Sequence, residues 1–426
     1  MEKIESSSRK DLLGFQRTTR TPCPSSSSPN NSRSRSQTEQ GAGTSADPIS
    51  DVPNFLGTCP DMCPGSLNRS VSYLLLKETM ELQVRRILHY NSSVKLRATS
   101  TKERAQRERL RDLSVFERLN GNPGKTSPSL AVKKFCRTIS TNQVHASDLR
   151  PPSVLQNTLK YLLNLVESSD HPFEAVHDFI FDRTRSIRQD LSMQNIVDNR
   201  AIYMYEQMIE FHILSHQKLS RCGSKTDISS LYHLNMEQLM KCLLSLLDVY
   251  SINRISNFIS KKEAEFHSFY VLLHLGCKIP TMGNSLSVWF RQLPFPVLHS
   301  KEMQFCRTIL RYFRMGDYKR FFSTTASEAT HLQLCLLEPL LNEVRAQAIS
   351  YINYSGYKLH PYPLLHLSNI LMIEERELEL LCYECGLKIV TDEAGCKLLP
   401  AKQVFSLPKS GFQSCGLRKI EKSQRL

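Results

Sequence analysis

The sequence predicts an all-α fold: an irregular stack of antiparallel helices closed at its C-terminal end by a winged helix. Three observations carry this expectation. From residue 57 to about 360, apolar residues recur at three- and four-residue spacing in run after run. Short Pro-, Gly- or Ser-containing breaks separate the runs, which differ in length and show no fixed repeat period. Beyond residue 361 the pattern changes to two helical stretches followed by an alternating segment around a glycine.

Residues 1–56 read as a disordered Ser-rich tail. The stretch "PSSSSPNNSRSRSQTEQGAGTSADP" offers too little apolar surface to offset the entropy of ordering it. "SRSRS" reads as part of that solvated tail, with a phosphorylation site or weak localisation signal as the alternative. The helical stack then opens on "GTCPDMCP", where Cys59, Pro60, Asp61, Met62, Cys63 and Pro64 stand together. A structural zinc site needs four ligands, usually with a second close pair downstream. The only other close cysteine pair, Cys382 and Cys385, stands more than 300 residues later. A redox pair would need a βαβ setting, which is absent. The motif therefore reads as a rigid plug. Two prolines fix the backbone, Pro64 opens a helix, and soft apolar side chains fill a tight contact. No metal is assigned to it.

Residues 85–137 hold fourteen Lys/Arg against four Asp/Glu, including "KERAQRERLR". Two readings stay open: a polyanion-binding face, or an exposed, salt-bridged helix. "DLRPPSVLQNTLKYLLNLVESS" follows and sets Leu155, Leu159, Leu162, Leu163 and Val166 on one helical face. "FIFDRTRSIRQDLSMQNI" brings Arg185 and Arg188 onto one face with Arg183 a little way round, and Asp182 and Asp190 within pairing reach. Guanidinium forks suit phosphate or carboxylate recognition, and equally an internal ion-pair network that orders the stack. "LNMEQLMKCLLSLLDVYS" predicts a helix starting at Leu234 or Asn235, with Asn235 and Gln238 as a capping pair. "KKEAEFHSFYVLLHLG" predicts a helix ending at Gly276. "FCRTILRYFRMGDYKRFFS" and "LCLLEPLLNEVRAQAISYI" complete the stack, which spans 57–360.

The expected winged helix occupies 361–410. Its two helical stretches part near Ile373–Glu374, and "KIVTDEAGCKLLPAKQVFSL" supplies the hairpin. Residues 411–426 read as a frayed basic tail.

Composition bounds the function. A chain of 426 residues has room for two or three domains of roughly 100–200 residues. The net charge of +14 favours polyanionic or acidic partners. The 13 cysteines are odd in number and scattered, as expected of reduced thiols in an intracellular protein. No apolar run approaches the roughly 18–20 residues of a membrane helix, so no membrane insertion is expected. The N-terminus lacks the apolar core of a secretory signal, and Glu2, Glu5 and Asp11 argue against a transit peptide. No Gly-rich phosphate loop, H-E-x-x-H or G-x-S-x-G stands in the chain. His171, His177, His212 and His216 read as surface or satisfied core residues. The expectation is a protein that is no enzyme, with no catalytic residues, cofactor or metal.

Seven segments, in order, resemble the SAC-three/GANP family, that of GANP and the leucine-permease transcriptional regulator. They are "GTCPDMCP", "AVKKFCR" (131–137), "LRPPSVLQNTLKYLL" (149–163), "FIFDRTRSIRQDLSMQNI" (179–196), "FHILSHQKL" (211–219), "LNMEQLMKCLLSLLDVY" (234–250) and "EAEFHSFYVLLHL" (263–275). The resemblance covers about 57–405. It implies a TPR-like, PCI-like helical repeat followed by a winged helix, within the scaffold of a TREX-type nuclear mRNA-export complex. It also implies a PCI-domain partner, a small acidic DSS-type subunit bound to that partner, non-specific RNA on the paired winged helices, and contact with nuclear pore proteins. Lys388, Lys397 and Lys402 then become the RNA-contact candidates, while Arg183, Arg185 and Arg188 take an architectural role. The implied location is the nucleus, at its envelope or pore.

Three departures from the family pattern stand out. "GSLNR" follows the Cys-Pro motif where acidic residues are usual. Residues 1–56 carry no Phe-Gly repeats, and no long adaptor-binding helix follows residue 410. The chain thus reads as a short, core-only member. Short members also resemble centrosome- or spindle-associated proteins and partners of signalosome-like complexes in transcription and splicing. That leaves a protein-interaction module, at the centrosome or in the cytoplasm, as the alternative.

Overall fold

Amphipathic runs bury themselves by stacking, and the computed structural model shows how. It describes residues 101–137, 149–168, 170–222, 226–255, 260–275, 286–355, 360–408, 412 and 414–418. The Ser-rich segment and the whole Cys-Pro motif lie outside the described residues. Those described are mostly helical, with thirteen α-helices and three short strands.

A short basic helix α1 (Thr101–Leu110) leads through a 3-10 turn at Val115–Glu117 into an extended stretch. The stack proper begins with α2 (Pro152–Ser168), α3 (Phe173–Met193), α4 (Asn199–Arg221) and α5 (Thr226–Ile255). Leu155, Leu159 and Leu162 of α2 are buried, as the periodicity required; Leu163 and Val166 pack at the flank of the same core. Asp198 caps α4 by accepting from the backbone N–H groups of Arg200 and Ala201. α4 lies along α5 over most of its length, and the C-terminal half of the stack docks on α4 through α11 (His331–Ser355).

Two sequence expectations fail here. α5 starts at Thr226, so Asn235 sits in its interior instead of capping its N-terminus. The reason is tertiary: Asn235 is fully buried, and its amide is used by residues of two other helices. α6 (Glu263–Leu273) ends at its His274 cap, before Gly276, which lies outside the described residues. The backbone N–H of His274 already returns to Val271 and Leu272, closing the last turn without a glycine.

The second half holds α7 (Leu286–Gln292), α8 (Phe295–Leu298), α9 (Lys301–Met315) and α10 (Tyr318–Glu328) ahead of α11. Gly316 closes α9 with φ of 69°, a left-handed position at which a Cβ carries strain. Asp317 then caps α10. After α11 come β1 (Tyr362–Pro363), α12 (Leu364–Leu371), α13 (Glu375–Glu384), β2 (Val390–Thr391) and β3 (Lys397–Leu399). The break between α12 and α13 falls where the sequence put it. β3 is the central strand, antiparallel to both neighbours, pairing Leu399 with Tyr362 and Leu398 with Val390.

The apolar interior forms two clusters. The first gathers α2 to α5 with one side of α6 and the start of α11. The second joins the other side of α6, α9, α10 and the rest of α11 to α12, α13 and β3. α6 and α11 thus belong to both: Phe266 and Cys335 face the first cluster, Val271 and Leu341 the second. The expected frayed tail is held in part. Gly416 and Cys415 accept hydrogen bonds from Arg345 of α11, and the Arg418 N–H donates to Met372 O. A buried guanidinium that needs acceptors explains why this segment is ordered.

Candidate partner and nucleic-acid interface

The arginine motif of α3 is where distant parts of the chain converge. Glu117, fully buried, receives Arg107 from α1 and Arg183 from α3, the latter at 2.8 Å, and accepts the Val132 N–H at 2.8 Å. Burial opposes its ionisation, but Arg183, Arg107 and that N–H outweigh burial, so its pKa lies below the usual carboxylate range. Asp190 receives Lys133 at 2.7 Å and Arg150 at 2.6 Å. Arg150 also donates to Ser186 Oγ at 2.9 Å, and Gln194 returns a bond to the Arg150 carbonyl at 2.8 Å. Asp182 accepts the Phe135 N–H, and Gln189 donates to Cys136 O. Asp182, Ser186, Gln189 and Asp190 thus dock Lys133, Phe135, Cys136 and Arg150 onto α3.

The three arginines have separate tasks. Arg183 joins Asp182 and Glu117. Arg185 lies 4.0 Å over the Phe135 ring and 5.7 Å over that of Phe181, with its pKa lowered by partial burial. Arg188 reaches Gln238 on α5. Asp190 pairs with Arg150 and Lys133, not with the arginines of its own helix. Of these partners, Arg107, Lys133 and Arg150 sat in stretches already singled out, but nothing local marked them, or Glu117, as partners of this motif.

Next to this network, Asn235 joins three helices. Its Oδ1 faces His212 Nδ1 at 2.8 Å and His177 Nε2 at 3.2 Å, and its Nδ2 donates to His212 O at 2.9 Å. Burial lowers the pKa of His177, and brings those of His212 and His216 down to about 3, so all three stand neutral in the core. His171 stacks edge-on with Phe116 at the surface.

The three lysines of the C-terminal unit are not equivalent. Lys388 and Lys402 are exposed. Lys397 forms an ion pair with Glu379 of α13 and lines a shallow cleft with Glu374, Glu375 and Glu377. Between residues 361 and 410, seven Asp/Glu stand against five Lys/Arg. Among the described residues no group of three His, Cys, Asp or Glu is placed to hold a metal. No described helix is long and apolar enough to cross a membrane.

Fold and site together define a class: a helical stack locked by buried ion pairs, ending in a small antiparallel sheet. Comparison with known proteins gives the family. Residues 99–391 match the SAC3/GANP family model, and the chain belongs to that family. It is 32% identical to SAC3 family protein B of Arabidopsis thaliana over 349 residues, covering 80% of this chain and 18% of that protein. It is 29% identical to SAC3 family protein 1 of Schizosaccharomyces pombe over 350 residues, 77% of this chain and 30% of the other. With the Drosophila melanogaster protein xmas it shares 27% identity over 312 residues, 69% and 14% of the two chains. The chain spans under a third of the length of each of these relatives.

Proposed function

We propose that this protein is a non-enzymatic scaffold and RNA-binding subunit of a TREX-type nuclear mRNA-export complex, linking transcription to mRNP export at the nuclear pore. The observation that carries this is family membership over 99–391, a span that takes in the first core, most of the second and the arginine network. On this reading the stack is a TPR-like, PCI-like repeat that holds a PCI-domain partner. The unit from β1 to β3 is a winged helix set beside the partner's own. A small acidic DSS-type subunit binds that partner, and the joined surface meets RNA phosphates without sequence preference.

The test is RNA binding by the full chain co-purified with its PCI-domain partner, titrated against salt. Affinity that falls steeply with salt supports the reading, and no salt-dependent binding contradicts it. Lys388→Glu with Lys402→Glu, which leaves the Lys397–Glu379 pair intact, should weaken RNA binding while the partner stays bound.

One observation favours a second reading, a protein-interaction module of a centrosomal, spindle or signalosome-like complex. The excess of acid in the C-terminal unit and the pairing of Lys397 with Glu379 suit a protein surface better than a phosphate platform. A partner complex that forms but shows no salt-dependent RNA binding would support it.

A further inference from the structure

From α7 to the start of α10 the chain is strongly basic. Residues 286–320 carry seven Lys/Arg against two Asp/Glu. Three of the seven, Arg307, Arg311 and Arg314, follow i, i+4, i+7 spacing and are exposed along α9, bordering its buried Met303 and Leu310. Along the axis they span about 10 Å at 1.5 Å per residue. None of the three forms an ion pair among the described residues. The nearby acids are engaged or turned elsewhere: Asp317 pairs with Arg320, and Glu302 lines a cleft with Glu328 on another side of α9.

Ordinary helix energetics does not account for this stripe. The helix C-terminus favours a cation in the last turn, which covers Arg314 alone. Arg307 and Arg311 are like charges four residues apart, a spacing that disfavours the helix. A local cost with no ion pair to offset it marks a surface built to meet something else. Arginine forks match phosphate oxygens, and aromatic rings are interleaved with them. Arg307 lies 5.8 Å over Phe290 of α7, next to the exposed Arg291, and Arg311 lies 5.6 Å over Tyr312.

We propose that the Arg307–Arg311–Arg314 stripe is a phosphate-contact surface for single-stranded RNA, on the helical stack and separate from the lysines of the C-terminal unit. The proposal rests on the RNA-binding reading above. An acidic protein segment is the rival occupant, disfavoured by the aromatic interleaving.

The test uses the full chain with its partner and a fluorescein-labelled oligouridylate of about 20 nucleotides. Wild type and Arg307→Gln/Arg311→Gln/Arg314→Gln are titrated across a salt series. All three positions are exposed, so the triple variant stays folded, and its melting curve checks this. Its log–log salt slope should fall by about 2, at roughly 0.7 per lost single-strand phosphate contact, with affinity at low salt down at least about ten-fold. Arg311→Lys, which keeps the charge, should retain the slope. A triple variant with unchanged slope overturns the inference and leaves the RNA reading standing. Loss of a co-purifying protein with RNA affinity unchanged overturns it in favour of the acidic segment. A wild type that binds no RNA at all overturns the functional reading itself.

Discussion

Arg150 and Arg345 are both fully buried guanidiniums, one in each core, and their surroundings differ. Arg150 meets the Asp190 carboxylate at 2.6 Å, and Asp190 is shared with Lys133. Arg345 is met by neutral acceptors: the carbonyls of Leu371, Met372, Cys415 and Gly416, and Asn342 Oδ1 at 2.7 Å. Burial lowers the Arg345 pKa, with Cys415, Glu377 and Glu338 opposing from nearby. His177, His212 and His216 are buried in α3 and α4, while no histidine from α7 to α13 is buried among the described residues. The difference teaches how each half is specified. Charge pairing fixes the first, where segments far apart in the chain must find one arrangement. Apolar fit fixes the second, with one cation binding the C-terminal strap to α11 and α12.

The sharpest break should come at Asp190. Replacing it with Ala leaves Arg150 buried without a carboxylate, and urea unfolding should lose about 3–5 kcal/mol. Arg345→Met removes donors from four carbonyls and should cost about 2 kcal/mol, because no carboxylate is stranded. Limited proteolysis should then cut first near residues 412–418, with the arginine network still protected.

Acid should separate the halves next. Histidines with lowered folded pKa values stabilise the fold fully above their unfolded pKa of 6.5 and lose that contribution as pH falls toward about 3. Glu117, also lowered, joins them below 4.5, its ordinary value. Each such group adds a slope of up to about 1.4 kcal/mol per pH unit within its window. Hydrogen exchange between pH 7 and 5 should therefore show α3 to α5 opening before α9 to α13. Equal opening in both halves would break the comparison. The smallest effect is expected at Gly316→Ala, about 1 kcal/mol, since only the left-handed backbone is strained and the added Cβ meets Tyr318 at ordinary contact distance.

Periodicity made the stack legible. The buried face of α2 and the break before Glu375 follow from residues three to seven apart. The arginine motif was visible as a motif, and an internal network was one of its two readings. Its partners were not visible, because Asp190 pairs across 40 and 57 residues and no local pattern encodes such a separation. Asn235 misled for a related reason: Asn is a helix-capping residue by local rules and a buried bridge between helices in this fold. Arg345 and its strap were hidden because the guanidinium takes main-chain oxygens, which every residue type supplies. Lys397 looked like a free wing cation until α13 brought Glu379 beside it.

The most direct test of the proposed role is a pull-down of the tagged full chain from nuclear extract, read by quantitative mass spectrometry before and after nuclease. The export reading expects a stoichiometric PCI-domain protein that survives nuclease, accompanied by mRNA-export proteins. A preparation with no PCI-domain partner, or with a centrosomal or signalosome-type set in its place, would contradict it.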